Sequence, residues 1–256
     1  MLFKTKTLET YKLDSLDGEI GKVREFYFDD QHWTIRYLVA DTGGWLNGRQ
    51  VLISPYALVA AIKADQHIAI DLTQKQIEES PSLSSDTPVS RRFEMGYNGY
   101  YGWPPYWGGP MTWGTYPTVV RSRGLWDMPA QIEREEGDSH LRSTQEVTGY
   151  HIQASDGEIG HVEDFIIDDE TWTIRYLVVN TSNWWLGKKV LVSPEWIEHV
   201  RWSESKVFIK QTRDSIKAAP EYTEEALITR DYESGLFRHY GSDGYWAHET
   251  ERLTPA

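Results

Sequence analysis

The sequence contains no cysteine, no long apolar run and no cluster of basic residues. The absence of cysteine excludes disulfide scaffolds, thiolate metal sites and cysteine nucleophiles. The longest apolar stretch, residues 56–62, is far shorter than the roughly 20 residues that a membrane-spanning helix needs. With 26 basic and 39 acidic side chains, the chain has a formal net charge of −13. This charge repels phosphate backbones, so nucleic acid is not an expected partner.

The sequence also lacks the common signatures of catalysis and targeting. It has no His-Glu-x-x-His, no Gly-x-Ser-x-Gly and no phosphate-binding glycine loop, and its histidines form no metal-binding spacing. We therefore expect no metal, no cofactor and no catalytic residues. The first residues lack the apolar core of a signal peptide. The expected location is cytoplasmic, with peripheral association with a membrane complex left open.

An internal repeat determines the predicted architecture. Asp-Gly-Glu-Ile-Gly at 17–21 returns at 156–160, and Trp-Thr-Ile-Arg-Tyr-Leu-Val at 33–39 returns at 172–178. Both pairs are separated by 139 positions, and this offset continues without a gap up to the Tyr-Trp pair at 245–246. Two copies with such a long period do not form a solenoid. The pattern indicates a small domain that has been duplicated.

Each copy has the pattern of a small β protein. Ile68, Ile70 and Leu72 alternate with more polar residues, which is typical of a strand with one buried face. The short apolar runs at 51–53 and 190–192 are typical of buried strands. Turn residues separate these segments, and about five or six short strands per copy favour a small barrel or sandwich.

A short aromatic helix is predicted at the end of each copy. In the second copy, Thr229 is a favourable N-cap, and apolar side chains follow at helical spacing up to residue 240. The first copy has the same register over residues 90–102. Both helices lead into a Tyr-Trp pair, at 106–107 and at 245–246.

The motifs D-G-E-I-G-x-V, D-D, W-T-I-R-Y-L-V and S-P, present in both copies, resemble the PRC-barrel domain. The reaction-centre H subunit of photosynthesis and a ribosome-maturation factor share this domain. The resemblance implies a mainly β fold with two six-stranded PRC-type β-barrels in tandem, each followed by an aromatic helical arm. It also implies an assembly or docking module. The expected boundaries are barrel 1–81, arm 82–107, linker 108–149, barrel 150–220 and arm 221–256.

The candidate interface residues are mostly aromatic. Trp33 and Trp172 are interpreted first as core residues, with partner contact as the alternative. Arg36 and Arg175, in mid-strand, are interpreted as exposed or acid-paired, with an interface anchor as the alternative. Asp29 and its neighbour are interpreted as turn residues rather than a cation site. The full set of candidates is Trp33, Arg36, Trp45, Tyr101, Trp103, Tyr106, Trp107, Trp172, Arg175, Trp184, Tyr240, Tyr245 and Trp246.

The segment 96–117 is the strongest functional lead in the sequence. It contains eight aromatic residues and no charged residue. Such a segment in water would form an adhesive patch. We expect it to fold back over a barrel, and the alternative is a surface for another protein or for a second copy of the chain.

The leading hypothesis is a non-catalytic protein-interaction module. In this hypothesis the two barrels pair with each other, or across a homodimer, and another protein or a membrane complex docks on them. The first alternative is a small-ligand binder or enzyme that uses a cleft between the barrels, lined by Trp, Tyr and Arg. The second alternative is an RNA- or ribosome-associated factor, which the net charge disfavours.

Overall fold

The computed structural model describes residues 1–59, 66–82, 89–107, 140–181, 188–224 and 227–247. The chain divides into two units. The first contains Met1, Phe3–Glu146 and Ile167–Ile174, and the second contains Leu2, Val147–Ile166 and Arg175–Ala256. The division therefore does not follow the repeat, because the short segment Ile167–Ile174 of the second copy belongs to the first unit.

Among the described residues, the helices and strands of the first copy recur in the same order in the second, which has one further strand, Ile197–Arg201. The first copy contains β1 (Leu2–Lys4), α1 (Thr5–Leu8), β2 (Lys12–Ser15), β3 (Gly18–Asp29), β4 (Thr34–Asp41), β5 (Gln50–Ile53), β6 (His67–Ala69), α2 (Gln74–Glu78) and α3 (Arg91–Tyr101). The second contains β7 (Leu141–Ser143), α4 (Thr144–Val147), β8 (His151–Ala154), β9 (Gly157–Asp168), β10 (Ile174–Asn180), β11 (Lys189–Val192), β12 (Ile197–Arg201), β13 (Lys206–Ile209), α5 (Arg213–Ala218) and α6 (Arg230–His239). The predicted mainly β fold is confirmed.

The first unit is built on a six-stranded sheet with the order β5-β4-β3-β2-β6, and β7 pairs with β3. Strands β3 and β4 are antiparallel, with Phe26 opposite Leu38, whereas β2 and β6 are parallel, with Leu13 opposite Ile68. Residues 34–40 of β4 are all buried. This strand is therefore buried on both faces, and its residues do not alternate between buried and exposed.

Residues that the sequence analysis assigned to the linker 108–149 include a strand of the first sheet. Leu141–Ser143 forms β7, and Tyr27 of β3 lies opposite Ser143. The backbone N–H of Phe26 donates to Oγ1 of Thr144 at 3.1 Å. Residues 108–139 of that predicted linker lie outside the described residues.

The sheet of the second unit follows the order β11-β10-β9-β8-β13-β12, and β1, whose Leu2 belongs to this unit, is its seventh strand. Strand β13 pairs in parallel with β8, as β6 does with β2 in the first sheet. The repeat in sequence is therefore a repeat in topology.

The last glycine of the Asp-Gly-Glu-Ile-Gly motif is required by a close backbone approach. Gly21 has φ 132°, and a Cβ at this position would lie 2.0 Å from the carbonyl oxygen of Asp41. At Gly160, with φ 156°, a Cβ would lie 2.1 Å from the carbonyl oxygen of Asn180. No larger residue fits without moving the neighbouring strand.

The predicted helices after each sheet are confirmed. Helix α3 begins where the Ser90 side chain accepts from the N–H of Phe93, and it ends at Gly102, which has φ 69°. Helix α6 begins where Thr229 accepts from the N–H of Tyr232. We call residues 89–107 the first arm and residues 227–247 the second arm.

Candidate functional site

The first arm packs on the face of the sheet formed by β4 and β5. Tyr97 of α3 is fully buried, and its hydroxyl donates to the carbonyl oxygen of Leu52 at 2.8 Å. The same hydroxyl accepts from the N–H of Ser54 at 3.1 Å. The Tyr97 ring also meets the ring of Tyr37 edge to face at 5.3 Å. Apolar burial and hydrogen bonds therefore both hold the arm to the sheet.

A buried carboxylate lies between the arm and the sheet. Glu94 is only 1% exposed, and its Oε1 accepts from the hydroxyls of Tyr106 at 2.8 Å and Tyr37 at 3.2 Å. Arg91, one helical turn earlier, forms an ion pair with Glu94 at 3.3 Å. Burial raises the pKa of Glu94 to about 7, against the opposing effect of Arg91 and the two hydroxyls.

Arg36 of β4 contacts the same group of residues through Tyr106. Its side chain is 1% exposed, its Nε donates to Oδ2 of Asp29 at 2.6 Å, and its guanidinium lies 4.1 Å from the ring centre of Tyr106. Burial alone would raise the pKa of Asp29, but hydrogen bonds from His32 and the charge of Arg36 lower it overall. Arg36 is thus an acid-paired residue inside the fold.

The Tyr-Trp pair at the end of the arm is covered by guanidinium groups. Arg91 lies 4.0 Å from the ring centre of Trp107 and 5.2 Å from that of Tyr106. The ring of Tyr106 is therefore in contact with both Arg36 and Arg91. Such cation–π contacts stabilise a structure by about 0.5–2 kcal/mol, depending on burial.

The second unit contains the same arrangement. Glu233 accepts from the hydroxyls of Tyr176 at 2.7 Å and Tyr245 at 3.0 Å, and it pairs with Arg230 at 3.1 Å. The guanidinium of Arg175 lies 3.9 Å from the ring centre of Tyr245. We call each set a carboxylate cluster. The first consists of Arg36, Tyr37, Arg91, Glu94, Tyr106 and Trp107, and the second of Arg175, Tyr176, Arg230, Glu233, Tyr245 and Trp246.

Sequence reasoning identified some members of each carboxylate cluster and missed others. Both arginines on the strands and both Tyr-Trp pairs were among the candidates, whereas the central Glu94 and Glu233 were not. The pattern Arg-x-(Phe/Tyr)-Glu, which stands at 91–94 and at 230–233, was the feature of the sequence that could have identified these two glutamates. A carboxylate that recurs at the same position of two aromatic helices indicates a shared structural contact.

Trp33 and Trp172 are packing residues of the first unit. Both are buried and have positive φ angles, 52° and 56°. The carbonyl oxygen of Trp172 accepts from Ile35 N–H, and that of Trp33 accepts from Ile174 N–H, both at 2.7 Å. The Trp33 ring also stacks on Phe28 at 5.1 Å. The first interpretation of these tryptophans, core packing, agrees with this geometry.

The remaining candidates lie in several places. Trp45 is half-buried in the loop after β4, and Trp184 lies outside the described residues. Tyr101 and Trp103 stack on each other at 4.4 Å in the first arm. In the second arm Tyr240 packs against Trp196 at 4.3 Å.

Within the part of the chain that the structure describes, no group of three or more His, Asp or Glu side chains could hold a metal ion. No helix among the described residues is long and apolar enough to cross a membrane.

A family model for the PRC-barrel domain matches residues 14–73 and 144–216, just over half of the chain. The chain belongs to the PRC-barrel family. At the family level, this membership indicates a protein-interaction or assembly module. Both matched segments include the arginine and tyrosine of β4 and β10, but they end before Glu94 and Glu233. A comparison with curated proteins finds no match.

Proposed function

We propose that this chain is a non-catalytic PRC-barrel module that binds another protein through its outer surface. The repeated carboxylate cluster carries the proposal. Glu, Tyr and Arg are residue types that also serve in acid–base catalysis. In both copies these residues make the same structural contacts, because each Glu accepts hydrogen bonds from one tyrosine of the sheet and one tyrosine of the arm.

Burial supports a structural role for these groups. Glu94 and the Tyr106 hydroxyl are buried against each other, and the ring of Tyr106 is covered by Arg36. A general acid or base must come within hydrogen-bond reach of its substrate. A substrate could reach Glu94 only if the arm moved away and its aromatic contacts were lost.

The proposal also includes closure of the strand path of each sheet into a six-stranded barrel, to which β7 in the first unit and β1 in the second are added as further strands. In the first unit, Leu58 pairs with Ile70, and Val59 N–H donates to the carbonyl oxygen of Ala69 at 3.1 Å. Strands β5 and β6 stand at the two ends of the strand order of this sheet. These contacts therefore connect the segment that follows β5 with β6. Closure removes free strand edges, which suits a stable scaffold that presents side chains outward.

In the test, the full chain carries a removable affinity tag and is crosslinked to its neighbours in the native host. The protein that it captures is then purified, and the complex is reconstituted from the two purified components. We expect a stoichiometric complex with a protein partner that forms with Glu94→Gln and Glu233→Gln as well as with the wild type. These substitutions alter the buried carboxylates without changing the outer surface.

An enzyme would behave differently. A turnover that disappears in Glu94→Gln or Tyr106→Phe, while the free energy of unfolding falls by no more than about 1 kcal/mol relative to wild type, would contradict the proposal. Tyr245→Phe is the matched control, because it removes the equivalent hydroxyl from the second unit.

A further inference from the structure

A continuous series of tyrosine and tryptophan rings leads from the core of the first unit to its surface. The ring centre of Tyr37 lies 5.3 Å from that of Tyr97, which in turn lies 5.0 Å from that of Tyr101. Tyr101 contacts Trp103 at 4.4 Å and Tyr100 at 4.8 Å. Tyr37 and Tyr97 are buried, whereas Tyr100 is 41% exposed. We call these five residues the ring series.

The residue types of the ring series are those that give up a single electron to a radical oxidant. Electrons pass between side chains by tunnelling, and the rate of tunnelling falls steeply with distance. The separations of 4.4–5.3 Å between ring centres therefore favour transfer along the series. The chain contains no cysteine, which would compete as an electron donor.

Tyr37, at the buried end of the series, has a proton acceptor in place. Its hydroxyl donates to Oε1 of Glu94 at 3.2 Å. A tyrosine that loses an electron becomes a strong acid, so it transfers its phenolic proton to a base within hydrogen-bond reach. Burial raises the pKa of Glu94 to about 7, which makes this carboxylate a better proton acceptor than an exposed one. Tyr97 donates instead to the backbone carbonyl oxygen of Leu52, which is a far weaker base.

The charges of the first carboxylate cluster direct oxidation to Tyr37 rather than to Tyr106. Tyr106 also donates to Glu94, at 2.8 Å, but the guanidinium of Arg36 lies 4.1 Å from its ring centre. The guanidinium of Arg91 lies 5.2 Å from the same ring. A positive charge over the face of a ring opposes the removal of an electron from that ring. Tyr37 is therefore the better end point for oxidation.

The second unit keeps the tyrosine–glutamate contact but interrupts the series. Tyr176 donates to Glu233 at 2.7 Å, as its equivalent does in the first unit. The residue at the position of Tyr97 is Leu236, which has no ring. The ring of Phe237 lies 6.4 Å from that of Tyr176, and a phenyl group gives up an electron far less readily than a phenol. The contact with the carboxylate is common to both units, whereas the path of oxidisable rings belongs to the first.

We propose that the ring series is a one-electron relay through which an oxidant at the surface of the first arm oxidises Tyr37. The oxidant is a small inorganic radical, which takes one electron from Tyr100 or Trp103 and becomes its anion. An electron from Tyr37 then passes along the ring series and restores the surface ring, while the phenolic proton of Tyr37 moves to Glu94. The products are a neutral tyrosyl radical in the core and a protonated Glu94. This inference goes beyond the proposed function and does not depend on it.

The experiment is pulse radiolysis of the full chain with the azide radical, which removes one electron from tyrosine or tryptophan and becomes azide. Above pH 7, we expect a radical formed on the surface rings to convert into a tyrosyl radical in the core. Optical absorption follows this conversion, and EPR of samples frozen after the pulse identifies the product. Tyr37→Phe should abolish the core radical. Glu94→Gln, which accepts a hydrogen bond but takes up no proton, should remove most of it.

The path is tested with variants of its middle rings. Tyr97→Leu introduces the residue of the second unit and should leave the radical on the surface rings. Because this change also removes hydrogen bonds to the sheet, Tyr97→Phe and Tyr101→Phe are compared with it. Both keep a ring, lack the oxidisable phenol and should reduce the yield of the core radical. The melting temperature of each variant shows whether the arm is intact.

Tyr176→Phe is the matched control, because it removes the hydroxyl equivalent to that of Tyr37 from the unit in which the series is interrupted. It should leave the yield of the core radical unchanged, and an equal loss would show that the radical does not lie on Tyr37. A radical that stays on the surface rings of the wild type would overturn the proposal. An undiminished core radical in Glu94→Gln, or in both Tyr97→Phe and Tyr101→Phe, would overturn it as well.

Discussion

The buried carboxyl of Glu94 makes the stability of the first unit depend on pH in a direction that can be worked out. In the folded chain burial raises its pKa to about 7, from an ordinary value of 4.5. Glu94→Gln keeps an oxygen that can accept from Tyr37 and Tyr106, but it removes the titration. The difference in the free energy of unfolding between wild type and this variant therefore reports the protonation of Glu94 alone.

The sign follows from the two pKa values. Below pH 4.5 the carboxyl is protonated in both the folded and unfolded chains. Between pH 4.5 and 7 the unfolded carboxyl ionises while the folded one keeps its proton, so stability falls as pH rises, and above 7 it levels off. The whole loss is about 3 kcal/mol, since each pKa unit corresponds to about 1.4 kcal/mol.

Two measurements check this prediction. Urea unfolding of the first unit, followed at pH 4, 5, 6, 7 and 8, should show that Glu94→Gln gains about 3 kcal/mol relative to wild type between the lowest and highest pH. In ¹³C NMR of side-chain-labelled glutamate, the resonance that is missing in Glu94→Gln should titrate near pH 7.

The hydroxyl of Tyr106 provides a second variant for the same prediction. It holds the pKa of Glu94 down, so Tyr106→Phe should move the midpoint upward. Tyr245→Phe, the equivalent change in the second unit, should leave this resonance where it is. A midpoint for Glu94 near 4.5, or a stability difference that does not change with pH, would refute the reasoning.

Three further predictions concern stability, each measured by chemical denaturation. Gly21→Ala places a Cβ 2.0 Å from a backbone oxygen and should cost more than about 3 kcal/mol, whereas Gly43→Ala, which has positive φ but open space, should cost about 1 kcal/mol. Arg36→Ala leaves Asp29 buried without its guanidinium and should cost about 3–5 kcal/mol; a loss below 1 kcal/mol would show that this ion pair does not support the fold. Tyr97→Phe removes a hydroxyl that bonds the backbone of β5 and should cost about 1–3 kcal/mol, and an unchanged midpoint would contradict that role.

The repeat made the sheet and the helix starts predictable. The Asp-Gly-Glu-Ile-Gly motif and the buried runs recur at one offset, and period-2 alternation identifies strands such as that at His67–Ala69. Ser90 and Thr229 identified the helix starts because their side chains can accept from the N–H three residues later. Each of these signals can be recognised in the sequence without knowledge of the tertiary packing.

The placement of β7 was not predictable by the same means. Leu141–Ser143 is too short to show a period, and its partner β3 lies more than 100 positions away. The assignment of Ile167–Ile174 to the first unit was not predictable either, because the sequence pattern of this segment is that of an ordinary hairpin end in the second copy. Pairing between distant segments depends on tertiary packing, which a single sequence does not reveal.

The central position of Glu94 was missed for a related reason. A glutamate on a helix is almost always solvent-exposed, and only a tertiary structure can bring Tyr37 and Tyr106 to its carboxylate. Arg36 presented the same difficulty, because an arginine in mid-strand is ordinarily a surface residue. Its partner Asp29 was interpreted as a turn residue, and it does accept from His32 N–H at 2.7 Å, as a turn residue would.

Comparison of the two copies separates residues that the fold needs from residues that serve another purpose. Both copies retain the carboxylate cluster, with the same partners for Glu94 and for Glu233, so these side chains answer a requirement common to both units. The ring that precedes the last tyrosine of each arm helix follows the same principle. Tyr100 and His239 stand at equivalent positions, and each meets the next tyrosine edge to face at 4.8 Å. The Tyr100 hydroxyl lies 2.9 Å from the carbonyl oxygen of Gln76, and His239 Nε2 lies 2.8 Å from that of Ser215, the equivalent residue. A ring with a polar atom at this position therefore answers a requirement of the fold, which the two copies meet with different residue types.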